Sequence, residues 1–193
     1  MKDAILRKAR ESAEVKLRFI EENAEALERC VRALAERFQS GGRLLVLGNG
    51  GSACDAQHVA VEFLHPVIEK RKPLPAMALV TDIAMLTAIG NDTDFSRIFV
   101  DQLELLAGPR DAVLGISTSG ASANVNRALK RAREMGLLTI GFAGRDGGRM
   151  PDLCDHCFTV KTWSIHRVQE SHTLLLHLLW DQVHVAMGED DVL

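Results

Sequence analysis

The chain has 193 residues, 47% of them apolar and 25% charged, with a formal net charge of −3. That composition is globular and the length suits about one domain, which excludes a disordered chain and two full enzymatic domains. No apolar run approaches ~18 residues and no basic cluster stands out, so neither a membrane span nor a nucleic-acid surface is expected. The opening Met-Lys-Asp-Ala-Ile-Leu-Arg-Lys puts charges where a signal peptide needs an apolar stretch, so a cytoplasmic protein is expected.

Residues 1–40 read as two helices. In the second, Leu27, Val31, Leu34 and Phe38 recur at helical spacing, and Gly41-Gly42 stops it. Two helices cannot bury both apolar faces alone, so they are expected to pack on the rest of the chain or on another subunit. A regular alternation follows. Leu44 to Leu47 is a short buried strand, and Ser52 to Leu64 a helix. Glu69 to Pro75 is a polar loop, and Ala76 to Val80 a second strand. Helical pattern runs from Asp82 and again from Phe95 to Ala107, with Gly90-Asn91-Asp92 as the break. Ala112 to Ile116 is a third strand, Ser122 to Met135 a helix, Leu137 to Phe142 a fourth strand and Phe158 to Val160 a fifth.

A last helix runs from His166 to Met187. Leu174, Leu175, Leu176, Leu178, Leu179, Trp180, Val183 and Val185 cover nearly all its faces, which predicts a subunit interface. Strands that are continuous Val/Leu/Ile runs and alternate with helices predict a parallel sheet covered on both faces. The fold class is α/β: a flavodoxin-like five-stranded parallel sheet with an N-terminal helical pair and a long C-terminal helix.

The four cysteines carry little chemistry. Cys30 and Cys54 fall in helical segments and suit small buried hydrophobes. Cys154 and Cys157 have CxxC spacing but no second pair, so a strand start is preferred to zinc or redox chemistry.

The candidate site is three loops, each after a strand. They are Gly48-Asn49-Gly50-Gly51-Ser52, then Thr81-Asp82 with Gly90-Asn91-Asp92 behind it, then Ser117-Thr118-Ser119-Gly120-Ala121-Ser122. In open α/β sheets ligands bind at the carboxyl ends of strands where the strand order reverses. A flavodoxin-like order makes the first and third strands neighbours there, so the first and third loops face each other. Three serines and a threonine ahead of a helix N-terminus suit a phosphate monoester; the plainer reading is a serine N-cap. Gly48-x-Gly50-x-x-Ala53 also fits a dinucleotide fingerprint, but Asp82 lies 29 residues beyond Ala53, where ~20 is wanted. His58 and Glu62 are four apart on the next helix, and can face a metal or substrate together or be a surface pair. Gln169 and His177 are eight apart on one face of the last helix, and His177 is either a core or a functional histidine. His184 reads as structural, and His172 stays open.

Five segments occur in one order: Gly48-Asn-Gly-Gly-Ser52, Asp55-Ala-Gln-His58, Ala88-Ile-Gly-Asn-Asp92, Gly115-Ile-Ser-Thr-Ser-Gly120 and Val168-Gln-Glu-Ser-His172. Together they resemble the sugar isomerase (SIS) domain family, and within it the phosphoheptose isomerases. The resemblance covers nearly the whole chain and implies one SIS domain over 1–193, with 1–40 as a helical extension. It implies ketose–aldose isomerisation of sedoheptulose 7-phosphate, a phosphorylated seven-carbon sugar, by a homotetramer with one zinc per subunit. The implied zinc ligands are His58, Glu62, Gln169 and His177. The implied substrate contacts are Asn49, Gly50, Gly51, Ser52, Glu62, Asn91, Asp92, Ser117, Thr118, Ser119, Ser122 and Gln169. Glu62 is the implied base and His177 the implied acid.

Members of the family carry a Gly-Arg-aromatic run about four residues after the glutamate. Here that stretch is Leu64-His65-Pro66-Val67, so Arg71, Lys72 or His65 is the expected substitute, or the sugar differs. Two rivals share the fold: a non-catalytic relative of the kind that binds the replication initiator DnaA and lacks the glutamate, and a sugar-phosphate sensor.

Overall fold

The computed structural model describes residues 1–67 and 71–191, so Glu69 and Lys70 of the expected loop lie outside the described residues. Five strands form one parallel sheet in the order β2-β1-β3-β4-β5. They are β1 (Leu44–Gly48), β2 (Ala76–Ala78), β3 (Ala112–Ser117), β4 (Leu138–Gly144) and β5 (His156–Val160). The helices are α1 (Lys2–Gln39), α2 (Gly51–Leu64), α3 (Ile83–Asp92), α4 (Val100–Leu106), α5 (Ala123–Glu134), α6 (Met150–Leu153) and α7 (Ile165–Ala186). A 3-10 turn at Phe95–Arg97 joins α3 to α4. The flavodoxin-like order is as expected, so β1 and β3 are neighbours with Gly48 level with Ile116.

Strand residues alternate between two cores. Leu44, Val46, Leu114, Ile140 and Phe142 point to the face covered by α1, α2 and α7. Leu45, Leu47 and Val113 point to the face covered by α4 and α5. Every residue of β1, β3 and β4 is buried, as a two-sided cover requires.

Three expectations need correction. Residues 1–40 form one 38-residue helix, not two. No glycine or proline interrupts residues 2–39, so nothing breaks the backbone ladder. Gly90-Asn91-Asp92 is not a break either: α3 runs through it and ends at Thr93, whose hydroxyl bonds the Ile89 carbonyl at 2.7 Å. A single glycine costs a helix only about 1 kcal/mol, less than packing returns. Cys54 is exposed rather than buried; its helix was read correctly but it points outward.

The apolar faces of α7 are largely covered by its own chain. Leu175, Leu176, Leu179, Trp180 and Val183 sit in the core shared with α1 and α2, so this helix by itself gives no argument for an interface. Exposed apolar side chains lie elsewhere, among them Leu17, Ile83, Leu105 and Trp163. Among the described residues no helix is long and apolar enough to cross a membrane.

His172 resolves as structural. It is fully buried in α7 and its Nε2 meets the Ala143 carbonyl at 3.0 Å, tying α7 to the end of β4. Burial pushes this imidazole from 6.5 down to about 4, partly offset by that bond. The unfolded chain therefore binds more protons than the fold between those values. Stability is expected to fall as pH drops from 6.5 toward about 4, by about 3 kcal/mol from this residue, and to be insensitive to it above 6.5. Urea unfolding across that range checks this, and His172→Gln should flatten the slope. Burial lowers His184 too, and it adds to the slope with the same sign.

Candidate active site

The carboxyl ends of β1 and β3 lie side by side, as the strand order predicts. The two loops are joined directly: Asn49 and Asn124 exchange a pair of side-chain amide bonds, both 2.8 Å. Asn49 is thereby satisfied. Asn124 is buried in the first turn of α5 and was missed by sequence reasoning; a polar residue on the apolar side of that helix was the available signal.

The hydroxyl loop leads from β3 into α5. Ser117 Oγ lies 2.9 Å from Ser122 Oγ and 3.4 Å from Ser119 Oγ, so three hydroxyls converge at the α5 N-terminus. Ser122 is the N-cap residue, but its side chain makes no capping bond. The plainer reading of the loop as a serine cap therefore fails. The hydroxyls face one another, beside backbone N–H groups at the positive end of the helix.

Further along, α2 presents His58 and Glu62 on one face. His58 Nε2 is 3.2 Å from Glu62 Oε1, and His177 Nε2 from α7 is 3.3 Å from His58 Nε2. The two rings meet edge to face, with centroids 4.9 Å apart. One ligand atom from each of the three residues falls within 4.8 Å of the others. Burial and the neighbouring His58 push His177 below the ordinary histidine value, while Glu62 pulls it up less strongly. Two imidazoles converging with a carboxylate are a fit donor set for a divalent metal such as zinc.

Asp55 was also missed. It precedes His58 by three, so Asp55, His58 and Glu62 share a helical face; the 3-and-4 spacing was the signal. Its Oδ2 is buried without a partner, and burial raises its carboxyl while His58 lowers it by less.

Gln169 lies against the start of α2. A Cβ on Gly51 would sit 2.0 Å from Gln169 Nε2, so a side chain at 51 would displace the end of that amide from the start of α2. Ser52 is buried beneath that loop. Thr118 is half-buried beside the end of β4, its carbonyl 2.5 Å from where a Cβ on Gly144 would stand. Asn91 and Asp92 stand exposed at the end of α3, bonded to each other at 2.7 Å, with no bond to the rest of the site among the described residues.

The SIS domain model matches residues 9–144. The phosphoheptose isomerase of Aquifex aeolicus is 44% identical over 180 residues, covering 93% of this chain and 94% of that one. The chain belongs to the phosphoheptose isomerases of the SIS domain family. The phosphoheptose isomerase of Solidesulfovibrio magneticus is 48% identical over 169 residues, covering 88% of this chain and 82% of that one. The solved phosphoheptose isomerase of Neisseria gonorrhoeae superposes with a TM-score of 0.88 at 36% identity, covering 94% and 97% of the two chains. That of Francisella tularensis superposes with a TM-score of 0.90 at 33% identity, covering 95% and 97%.

As a phosphoheptose isomerase this is an aldose–ketose isomerase, and the non-catalytic reading is not favoured. The expected substitutes for the missing arginine need correction. Arg71 is buried and held by Asp181, so it does not reach the site. Lys72 and His65 are exposed and make no side-chain bond there.

Proposed function

We propose that this isomerase converts sedoheptulose 7-phosphate to D-glycero-D-manno-heptose 7-phosphate through an enediolate, with Glu62 as base and His177 as acid. The observation that carries the reading is the convergence of Glu62 and His177 with His58 in one group, in a chain whose three loop hydroxyls converge at the α5 N-terminus. Ketose–aldose isomerisation moves a proton between C1 and C2, so it needs a base at carbon and an acid at oxygen. Glu62 takes the proton from one carbon and returns it to the other. His177 gives its proton to the C2 carbonyl oxygen as that oxygen gains charge, and takes up the C1 hydroxyl proton as the aldehyde forms. Ser117, Thr118, Ser119 and Ser122 hold the phosphate, and Asn49, Gly50, Gly51, Ser52, Gln169, Asn91 and Asp92 complete the substrate contacts. A phosphate fixed at the α5 N-terminus holds the sugar so that its other end meets Glu62.

Ser119→Ala combined with Ser122→Ala removes two donors to a dianion. It is expected to raise KM about 100-fold, from about 1.5 kcal/mol per charge-assisted bond. Unchanged KM would take the loop out of the site.

The metal in this reading is one zinc per subunit, held by His58, Glu62, His177 and Gln169. When bound, zinc polarises the sugar oxygens. An imidazole has two ring nitrogens, so a metal on one nitrogen of His177 leaves the other to carry the transferred proton. Direct zinc binding after chelation is expected to reach one ion per chain, with turnover restored. Turnover that survives without zinc would leave the acid–base pair and remove the metal. Bound zinc with no turnover of the heptulose would move the substrate to another phosphosugar, a second reading favoured by the stretch Leu64-His65-Pro66-Val67, which holds no arginine. The reading includes one SIS domain over 1–193, a cytoplasmic location and a homotetramer; the same protein is expected to scatter light as four 21.2 kDa chains.

A further inference from the structure

The segment joining α2 to β2 carries a buried polar network outside the site. Arg71 is 8% exposed, and its guanidinium pairs with the Asp181 carboxylate on α7. It also donates to the Asp181 carbonyl at 3.0 Å and lies over the Trp180 ring, 4.8 Å from the centroid. Fully buried His184 sits between Trp180 and Phe63, with centroids 5.3 and 6.3 Å away. Its Nδ1 faces Glu189 Oε2 at 3.2 Å, and Glu189 Oε1 accepts from the Lys72 backbone, also at 3.2 Å. The last turns of α7 are therefore bound to α2 and to the chain that follows it.

Both helices also carry the site. Phe63 adjoins Glu62, and Asp181 is one turn beyond His177 on the same face. The 3.3 Å approach of His177 to His58 spans the α2–α7 contact, so it depends on how the two helices are registered. A shift well under a helical step would spread the group, and misplacement of about 1 Å is costly to catalysis.

We propose that Arg71 is a positioning residue for the isomerisation: by clamping Asp181, it fixes α7 against α2 and so sets the approach of His177 to His58 and Glu62. The proposal rests on the reading of Glu62 and His177 as the acid–base pair. Energetics alone give a weak reason for such a pair, because replacing both partners of a buried ion pair by apolar residues is often neutral or stabilising. Geometry gives a stronger one. A planar guanidinium bonded on its edge and stacked on its face fixes direction as well as distance, which an apolar contact does not.

The test is steady-state kinetics and thermal unfolding of Arg71→Met, Asp181→Leu and the double variant R71M/D181L. Each single variant buries an unpaired charge and is expected to unfold at lower temperature. The double variant is expected to regain close to the original Tm while kcat stays about 10- to 100-fold low and KM is unchanged. Original kcat in a stably folded double variant would overturn the proposal, as would a change confined to KM. Should the double variant fail to fold, Asp181→Asn decides, since it keeps the shape and weakens the pair. About tenfold lower kcat at unchanged KM supports the clamp, and unchanged kcat overturns it. Failure of the acid–base reading shows separately, as turnover retained by Glu62→Gln, and leaves the clamp to be judged on the kcat of its own variants.

Discussion

Glu62→Gln is expected to lower kcat by about three orders of magnitude while binding of the sugar phosphate stays within about threefold. The substitution is close to isosteric, and the Glu62 side chain is only 17% exposed, so the amide takes the same packed position. An amide has no basic lone pair that can take a carbon-bound proton. The neighbouring His58 Nε2, 3.2 Å away, can still share a hydrogen bond with it. In the proposed reading the phosphate is held by a different strand and helix, β3 and α5, and its binding should not register the change. Isothermal titration with the sugar phosphate and turnover on the same preparation check both halves. Substantial turnover would remove Glu62 as the base; lost binding would mean that the carboxylate holds substrate.

The sheet was legible because its strands are continuous apolar runs, a pattern that only two-sided burial requires. Loops at the ends of β1 and β3 were legible for a related reason. Glycines at 48, 50 and 51 and hydroxyls from 117 to 122 have no use inside an ordinary αβ connection. What the sequence concealed was which partner each polar side chain takes. Asn49 was read as a substrate contact, yet its amide is matched by Asn124, 75 positions away. Arg71 was read as a substitute for a missing arginine, yet it lies buried on Asp181, 110 positions away. Pairings at such separation follow from helix register and leave no local periodicity. The joined N-terminal helix was missed although the local signal for continuity was complete, since no glycine or proline falls within residues 2–39.

Asp55 extends the acid–base face of α2 by one turn. Its half-buried carboxyl, raised by desolvation, lies close enough to His58 for the two charges to interact. A carboxylate in that position can orient a ligating or reacting imidazole. The face thus runs from Asp55 through His58 to Glu62, so titratable groups gather on α2 and α7 while neutral donors gather at the start of α5. That division suits the substrate, whose phosphate needs hydrogen bonds and whose reacting carbons need proton transfer.

Gly120→Ala is expected to cause the largest loss of stability of any single methyl group added at the site. The residue has φ 63°, where an L side chain is strained by about 1–2 kcal/mol. Space is the harder limit. A Cβ there would lie 1.9 Å from the Gly147 carbonyl oxygen, and backbone cannot swing aside as a side chain can. The clash would part the hydroxyl loop from the β4–α6 turn, which are stitched together by the Arg149 backbone N–H donating to the Gly120 carbonyl at 3.1 Å. Asn126 donates to the same carbonyl at 3.0 Å, so α5 would lose its anchor as well. Strain and displaced bonds together come to about 4 kcal/mol, which for a chain of this length lowers Tm by roughly 10 °C. In the fraction that folds, Ser117, Ser119 and Ser122 no longer converge, and KM for the sugar phosphate should rise at least as far as in the double serine variant. Chemistry on bound substrate should be nearly preserved, because Glu62 and His177 stand on other elements. A Gly120→Ala variant with unchanged Tm would mean that the turn can move away. Unchanged KM in that variant would mean that the phosphate is held somewhere other than the α5 N-terminus.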